Sequence, residues 1–365
     1  MADELMNQCA RSLEDLETVY EESGNIGLDM ALTNGKGIPI GTYIILAAAK
    51  GTGKTTTCMD LARRILARWK ASGNETNKML YIDMEKSKEL AKKMGLGEYV
   101  VDGSLIYRTG QCTVATLEKF SQAILDGKKP YCDIKYIIID SITNLICEKE
   151  LNSEIEKGDF GNAVAARNKR YKKYLGLLEA KGITIFGISQ FRKKQQASQY
   201  EDPGKAAIAD GDLHYADIIL KLGKSTGGND AETKKVDVFN VSTGKIDKLG
   251  KQFKVTYSVY EDKNRFCKAA NVTSLMTYGK GSNNWYLLKQ LLTAFDFMKN
   301  SGSAAYPKWN YSPELLAYIN ADKVEDLDKR EMVEFLQRNI SGIKDFLRSK
   351  DLYCNTKEQA GNSEE

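Results

Sequence analysis

The densest chemistry in this sequence lies in one short run, Ala48-Ala49-Lys50-Gly51-Thr52-Gly53-Lys54-Thr55, with Thr56 after it. The apolar stretch Tyr43 to Ala49 leads into it, and Thr56 to Trp69 reads as a helix behind it. A glycine-rich turn between a strand and a helix is the context a P-loop requires. Glycines let the backbone approach phosphate oxygens, the helix start offers unpaired N–H groups, the lysine reaches the outer phosphates and the threonine ligates magnesium. Ala48 stands where such motifs open with glycine, while Gly51, Gly53, Lys54 and Thr55 are all present. The flanking strand and helix make a chance glycine-rich turn a poor account. ATP and Mg2+ are therefore the expected cofactors, with Thr55 as a metal ligand.

Three further strand ends carry groups of the right kind. Tyr136 to Ile139 runs into Asp140-Ser141, and a carboxylate there can hold magnesium through water. One acid at a strand end is common; beside a P-loop it reads as a Walker B site. Met79 to Ile82 runs into Asp83-Met84-Glu85, and Glu85 is the candidate general base for water. The plain alternative is a solvated acid, because Lys86-Ser87-Lys88-Glu89 reads as surface. Ile183 to Ser189 ends at Gln190, an amide that can sense a terminal phosphate and pass the signal into the basic segment after it. Open parallel sheets bind ligands at the carboxyl ends of their strands, where these groups would gather.

The elements that must position them follow from periodicity. Segments 43–48, 79–83, 136–140, 183–189 and 217–222 read as strands alternating with helices, which implies an α/β fold with a mainly parallel sheet covered on both faces. Segments 237–241 and 253–260 look like a final hairpin extending that sheet. Residues 3–22 place Met6, Cys9, Leu13, Leu16 and Tyr20 on one helical face. Such a helix packs on its own domain or docks on a neighbouring copy. After Trp285 the pattern is helical, with Leu288, Leu291, Leu292 and Phe295 on one stripe, a Ser-Gly-Ser-Ala-Ala-Tyr-Pro break at 301–307, and three short helices beyond it. Ser312-Pro313-Glu314 reads as a helix start, and Thr356 to Glu365 as a loose polar tail. The expected organisation is a docking helix and linker over 1–30, a core over 31–282 and a mainly helical unit over 283–365.

Composition narrows the chemistry further. With His214 as the single histidine, histidine-based metal or triad chemistry has little to draw on. The seven cysteines are scattered and never spaced C-x-x-C, so neither a disulfide framework nor a zinc site is expected. The longest apolar run falls far short of the ~20 residues that span a bilayer. The acidic N-terminus has the wrong charge for a leader, which points to the cytoplasm. A net charge of +4 does not identify a nucleic-acid partner by itself.

These four strand-end motifs in this order resemble the RecA recombinase family, including phage recombinases of the UvsX type, over residues 22–282. The lead-in Ser23-Gly24-Asn25-Ile26-Gly27-Leu28-Asp29-Met30-Ala31-Leu32, then Gly37-Ile38-Pro39-Ile40-Gly41, carries the resemblance further than a Walker motif does. It implies a RecA-like P-loop ATPase core with an N-terminal helix and a small helical C-terminal region. It makes Lys54 and Thr55 the phosphate and magnesium residues, Glu85 the catalytic glutamate, Asp140 and Ser141 Walker B, and Gln190 the residue coupling ATP to DNA. Residues 150–167 are similar to the family's first DNA loop and the helix after it. Arg167, Lys169 and Arg170 there are candidate contacts to the phosphate backbone, against the alternative of a solvated helix face. Phe191 to Asp212, with Arg192, Lys193, Lys194 and Lys205, matches the second DNA loop by position. Lys263 and Arg265 resemble the family's cation pair that reaches the nucleotide of an adjacent subunit. The implied partners are single-stranded DNA, homologous duplex DNA, further copies in a filament, and single-strand-binding or loader proteins. No tyrosine after Glu85 stands where the family places one against adenine. A ring helicase or translocase, and a recombinase paralogue acting as mediator, are the competing readings.

Overall fold

The computed structural model describes residues 17–146, 173–190, 192–193, 206–207, 214–224, 237–240, 245–248, 252–267 and 271–350, apart from 304 and 323. Its core is one nine-stranded sheet. In chain order the strands are β1 Tyr43–Ala48, β2 Lys78–Asp83, β3 Leu105–Thr109, β4 Ile134–Asp140, β5 Thr184–Gln190, β6 Ile218–Lys224, β7 Gln252–Asn264, β8 Val272–Thr277 and β9 Gly281–Ser282. Their spatial order is β9-β8-β7-β6-β1-β5-β4-β2-β3. The six strands from β6 to β3 run parallel, and β7, β8 and β9 join antiparallel at one side.

The alternation of side chains along each strand divides the interior into two cores. Ile44, Leu46 and Ala48 of β1, Met79 and Tyr81 of β2, and Tyr136 and Ile138 of β4 face the helix Lys54–Ala71 and its Leu61, Ile65 and Trp69. Tyr43, Ile45, Ala47, Leu80, Ile82, Ile137 and Ile139 point the other way, onto Phe120, Leu175 and Leu178. Because both faces are covered, these strands are continuous apolar runs, as the sequence pattern predicts.

Several expectations are corrected. Residues 237–241 and 253–260 do not form a hairpin: Asp237–Asn240 pairs with Lys245–Lys248 in a separate ribbon, and β7 pairs with β6 and β8. Leu105–Thr109 is an additional edge strand. The helix expected over 3–22 does not reach its far end, since Tyr20–Glu21 is a short strand on Ile38–Pro39; residues 1–16 lie outside the described residues. Asn25 caps the helix Ile26–Thr33, which crosses position 30. The break at 301–307 is the loop of a hairpin between Met298–Asn300 and Trp309–Tyr311. The helices Pro313–Tyr318, Lys329–Arg338 and Ile340–Ser349 follow, the first with Ser312 as its cap. The tail 356–365 lies outside the described residues. No described helix is long and apolar enough to cross a membrane.

Candidate active site

The carboxyl ends of β1, β2, β4 and β5 meet at one edge of the sheet, and a cleft of about 590 Å³ opens there. Its floor is the loop between β1 and the helix Lys54–Ala71. Gly51 and Gly53 have φ of 78° and 102°, a backbone that side chains resist. A Cβ on Gly53 would also meet the Phe253 ring at 2.8 Å, whereas one on Gly51 would meet nothing within 4 Å. Lys54 opens the helix and folds back, its Nζ donating to the carbonyls of Ala48 at 3.0 Å and Ala49 at 2.8 Å. Burial lowers the Lys54 pKa, and the carboxylates of Glu85 and Asp140 counter this. Ala48, at the place of the usual first glycine, is fully buried at the end of β1.

The acids arrive by register. Asp83 and Asp140 are direct neighbours across the parallel pair β2 and β4, and both are fully buried. Burial pushes the Asp140 carboxyl up to about 7, helped by the charges of Glu85 and Asp83 and opposed by the hydroxyls of Thr55 and Tyr81. Its Oδ2 accepts from Tyr81 at 3.2 Å, while its Oδ1 is buried with no partner of good hydrogen-bond geometry. Thr55 stands beside this carboxylate and lines the cleft. The buried, unmatched oxygen next to a hydroxyl fits a hydrated Mg2+ held jointly with nucleotide phosphates. Among the described residues no cluster of three His, Cys, Asp or Glu side chains could hold a metal alone. Ser141 follows Asp140, and its hydroxyl lies 3.4 Å from Glu85 Oε1.

Glu85 reaches into the cleft just past the end of β2. Its Oε1 accepts from Gln190 Nε2 at 2.7 Å and from Asn144 Nδ2 at 3.3 Å. The two groups that sequence reasoning placed at separate strand ends are therefore bonded to each other. Gln190 is the last residue of β5, directly before segment 191–212.

Phe253 and Tyr278 also line the cleft, and Tyr278 is 52% exposed. Sequence reasoning missed both, because β7 and β8 bring them in from more than a hundred residues away.

Lys263 and Arg265 lie elsewhere. Strand β7 runs against β6, so Gln252 and Phe253 sit at the cleft edge and Asn264 sits opposite Ile218 at the far edge. Asn264 sits opposite Ile218 and Val255 opposite Lys224, six residues of β6 or about 20 Å at ~3.3 Å per residue, with Phe253 two residues beyond, which is outside the reach of either cation to its own cleft. The Arg265 guanidinium, 61% exposed, donates to Asp217 Oδ1 at 2.6 Å. His214 is exposed.

Of the other candidates, Arg192–Lys193 form a two-residue backbone pairing with Ala206–Ala207. Arg167, Lys169, Arg170, Lys194 and Lys205 lie outside the described residues. Among the described cysteines, Cys58, Cys112 and Cys132 are free thiols, and Cys267 Sγ donates to the Leu32 carbonyl at 3.3 Å.

A mainly parallel sheet carrying a P-loop, a strand-end aspartate and a glutamate just past the end of the adjoining strand defines the class of P-loop α/β proteins. A family model of the RecA N-terminal domain matches residues 2–258, and the chain belongs to the RecA family. It is similar to Protein RecA of Sulfurimonas denitrificans, 26% identical over 244 residues, covering 64% of this chain and 65% of that protein. Protein RecA of a Nitratiruptor species is 25% identical over 238 residues, covering 62% and 63%. That of Mycoplasma genitalium is 27% identical over 186 residues, covering 51% and 49%. The chain thus spans between about half and just under two thirds of the length of these relatives.

Proposed function

We propose that this chain is an ATP-dependent homologous recombinase that forms a filament on single-stranded DNA and exchanges strands with a homologous duplex. The observation that carries the reading is the 2.7 Å bond between Gln190 and Glu85, which ties the candidate base to the residue before a basic segment. Family membership and relatives that are Protein RecA support it further.

Each residue has a role on this reading. Lys54 leaves the carbonyls of Ala48 and Ala49 for phosphate oxygens, and the N–H groups of Lys50 to Thr56 cradle the phosphates. Thr55 and Asp140 hold the magnesium, which when bound neutralises phosphate charge. Glu85 orients a water and takes its proton once Gln190 turns toward the terminal phosphate. Phe253 and Tyr278 offer apolar faces to the base. Lys263 and Arg265 serve the cleft of an adjacent copy, since their own lies across the sheet, so hydrolysis requires assembly. Of the docking segment expected over 1–30, residues 20–30 pack on their own chain, so docking of protomers falls to the residues before them, and Arg167, Lys169, Arg170, Arg192, Lys193, Lys194 and Lys205 contact the DNA backbone.

The test is ATP hydrolysis and joint-molecule formation in one reaction, with a labelled single strand, a homologous supercoiled duplex and Lys54→Ala as control. DNA-stimulated hydrolysis with homology-dependent joints, both lost in the control, is expected. Hydrolysis without joints would refute strand exchange and favour a translocase or mediator.

A further inference from the structure

We infer that Tyr81 is a positioning residue for Asp140, and that Tyr107 does the same for Asp83. The inference rests on reading the cleft as a magnesium nucleotide site. Both tyrosines are placed by register. Tyr81 pairs with Ile138 across β2 and β4, so its ring lies diagonal to Asp140, two residues further along and on the same face. Tyr107 pairs with Tyr81 across β3 and β2 and lies diagonal to Asp83 in the same way. The geometry therefore repeats: Tyr81 donates to Asp140 Oδ2 at 3.2 Å, and Tyr107 donates to Asp83 Oδ2 at 2.7 Å.

The rings stack with centroids 5.3 Å apart and planes 23° apart, so the two donors pack against each other. Tyr81 is fully buried, in a core where phenylalanine would fill nearly the same space. A buried hydroxyl costs free energy unless it is bonded, so a tyrosine here needs its acceptor. Its donation fixes the plane of the Asp140 carboxylate and engages one oxygen, leaving Oδ1 for the cation's hydration shell. Outer partners of this kind hold a metal-linked side chain in its working orientation. The alternative is a hydroxyl that merely takes the nearest acceptor, with no consequence for the metal.

The two accounts separate in a binding experiment on the full chain. Mg2+ is titrated at fixed N-methylanthraniloyl-ATP for the parent, Tyr81→Phe and Tyr107→Phe, alongside nucleotide binding and thermal melting without Mg2+. For Y81F the half-saturating Mg2+ concentration is expected to rise roughly tenfold, with Mg2+-free nucleotide affinity near that of the parent and melting lowered by the bond the buried carboxyl loses. Y107F, acting through Asp83 and the stacked ring, should show a smaller rise of about two- to threefold. An unchanged Mg2+ requirement in Y81F overturns the inference, as does an equal loss of affinity with and without Mg2+, which would assign Tyr81 to packing. Should Y81F not fold, an unchanged requirement in Y107F overturns it. A parent chain whose nucleotide binding ignores Mg2+ would instead remove the reading of the cleft itself.

Discussion

Glu22 joins the segment that precedes the core to the last described helix. Its carboxylate accepts from Lys344 Nζ at 2.7 Å and from Arg348 Nη2 at 2.8 Å. The Arg348 guanidinium also donates to the Gly35 carbonyl at 3.1 Å. Burial alone would push the Glu22 carboxyl up, but the bonds and charges of the two cations outweigh it and hold the pKa at about 2. Converted at about 1.4 kcal/mol per pH unit, this depression from the ordinary 4.5 would be worth roughly 3 kcal/mol. Glu22 is 41% exposed, so solvent screening reduces the expected value to about 1–2 kcal/mol. Lys344 is 9% exposed, and Glu22→Gln takes away the carboxylate that its ammonium meets. A depressed acid pKa contributes stability that is complete above the unfolded value and is lost as pH falls through the folded one. E22Q should therefore be about 1–2 kcal/mol less stable than the parent at pH 7, with the gap narrowing below pH ~4.5 and closing near pH ~2. Urea unfolding followed by tryptophan fluorescence at pH 7 and pH 3.5 measures it. Equal stability at pH 7, or a gap that does not narrow in acid, would refute the assignment of this stability to the ion pairs.

Two further outcomes concern the cleft. Gly53→Ala should lose about 1–2 kcal/mol to left-handed backbone strain and also lose nucleotide binding, because the new Cβ collides with Phe253. Gly51→Ala, which meets open space, should suffer the strain alone, and calorimetric titration of both variants with ATP checks the contrast. Asp140 must ionise to serve Mg2+, and its carboxyl is raised to about 7, so the native state resists the charge as pH climbs from the ordinary value to 7. The extra thermal stabilisation that Mg2+ gives an ATP-bound sample should therefore grow from pH 6 to pH 8. A Mg2+ increment that is flat across that range would count against Asp140 as the metal-linked acid.

What could be read from the sequence was local. Strands β1, β4 and β5 announce themselves because both faces are buried and their apolar runs are unbroken, and the P-loop states its own chemistry. The helix Ile26–Thr33 escaped periodicity because every residue in it is buried, which removes the polar face that marks an amphipathic helix. The wrong hairpin has a similar origin: alternation identifies 237–241 and 253–260 as strands, but names no partner for either. Glu21 and Glu22 read as part of an acidic helix. In the fold Glu21 takes Arg68 at 2.7 Å, Trp69 at 2.9 Å and Tyr136 at 2.6 Å, while Glu22 takes the far C-terminal helix.

The site itself shows where local reading ends. Glu85, Asp140 and Gln190 could each be found at a strand end, yet the order β5-β4-β2 alone puts them within reach of one another. The continuation of that order, β4-β2-β3, makes Tyr81 and Tyr107 diagonal to the acids, a relation no spacing along the chain displays. Strand β7 then separates two groups by its length: its first residues border the cleft, and its far end places Lys263, with Arg265 just after the strand, at the opposite edge. A cation pair at that edge can serve a nucleotide only when a second copy presents its own cleft there. On the recombinase reading proposed above, the distance across one sheet is the physical reason for hydrolysis to depend on assembly.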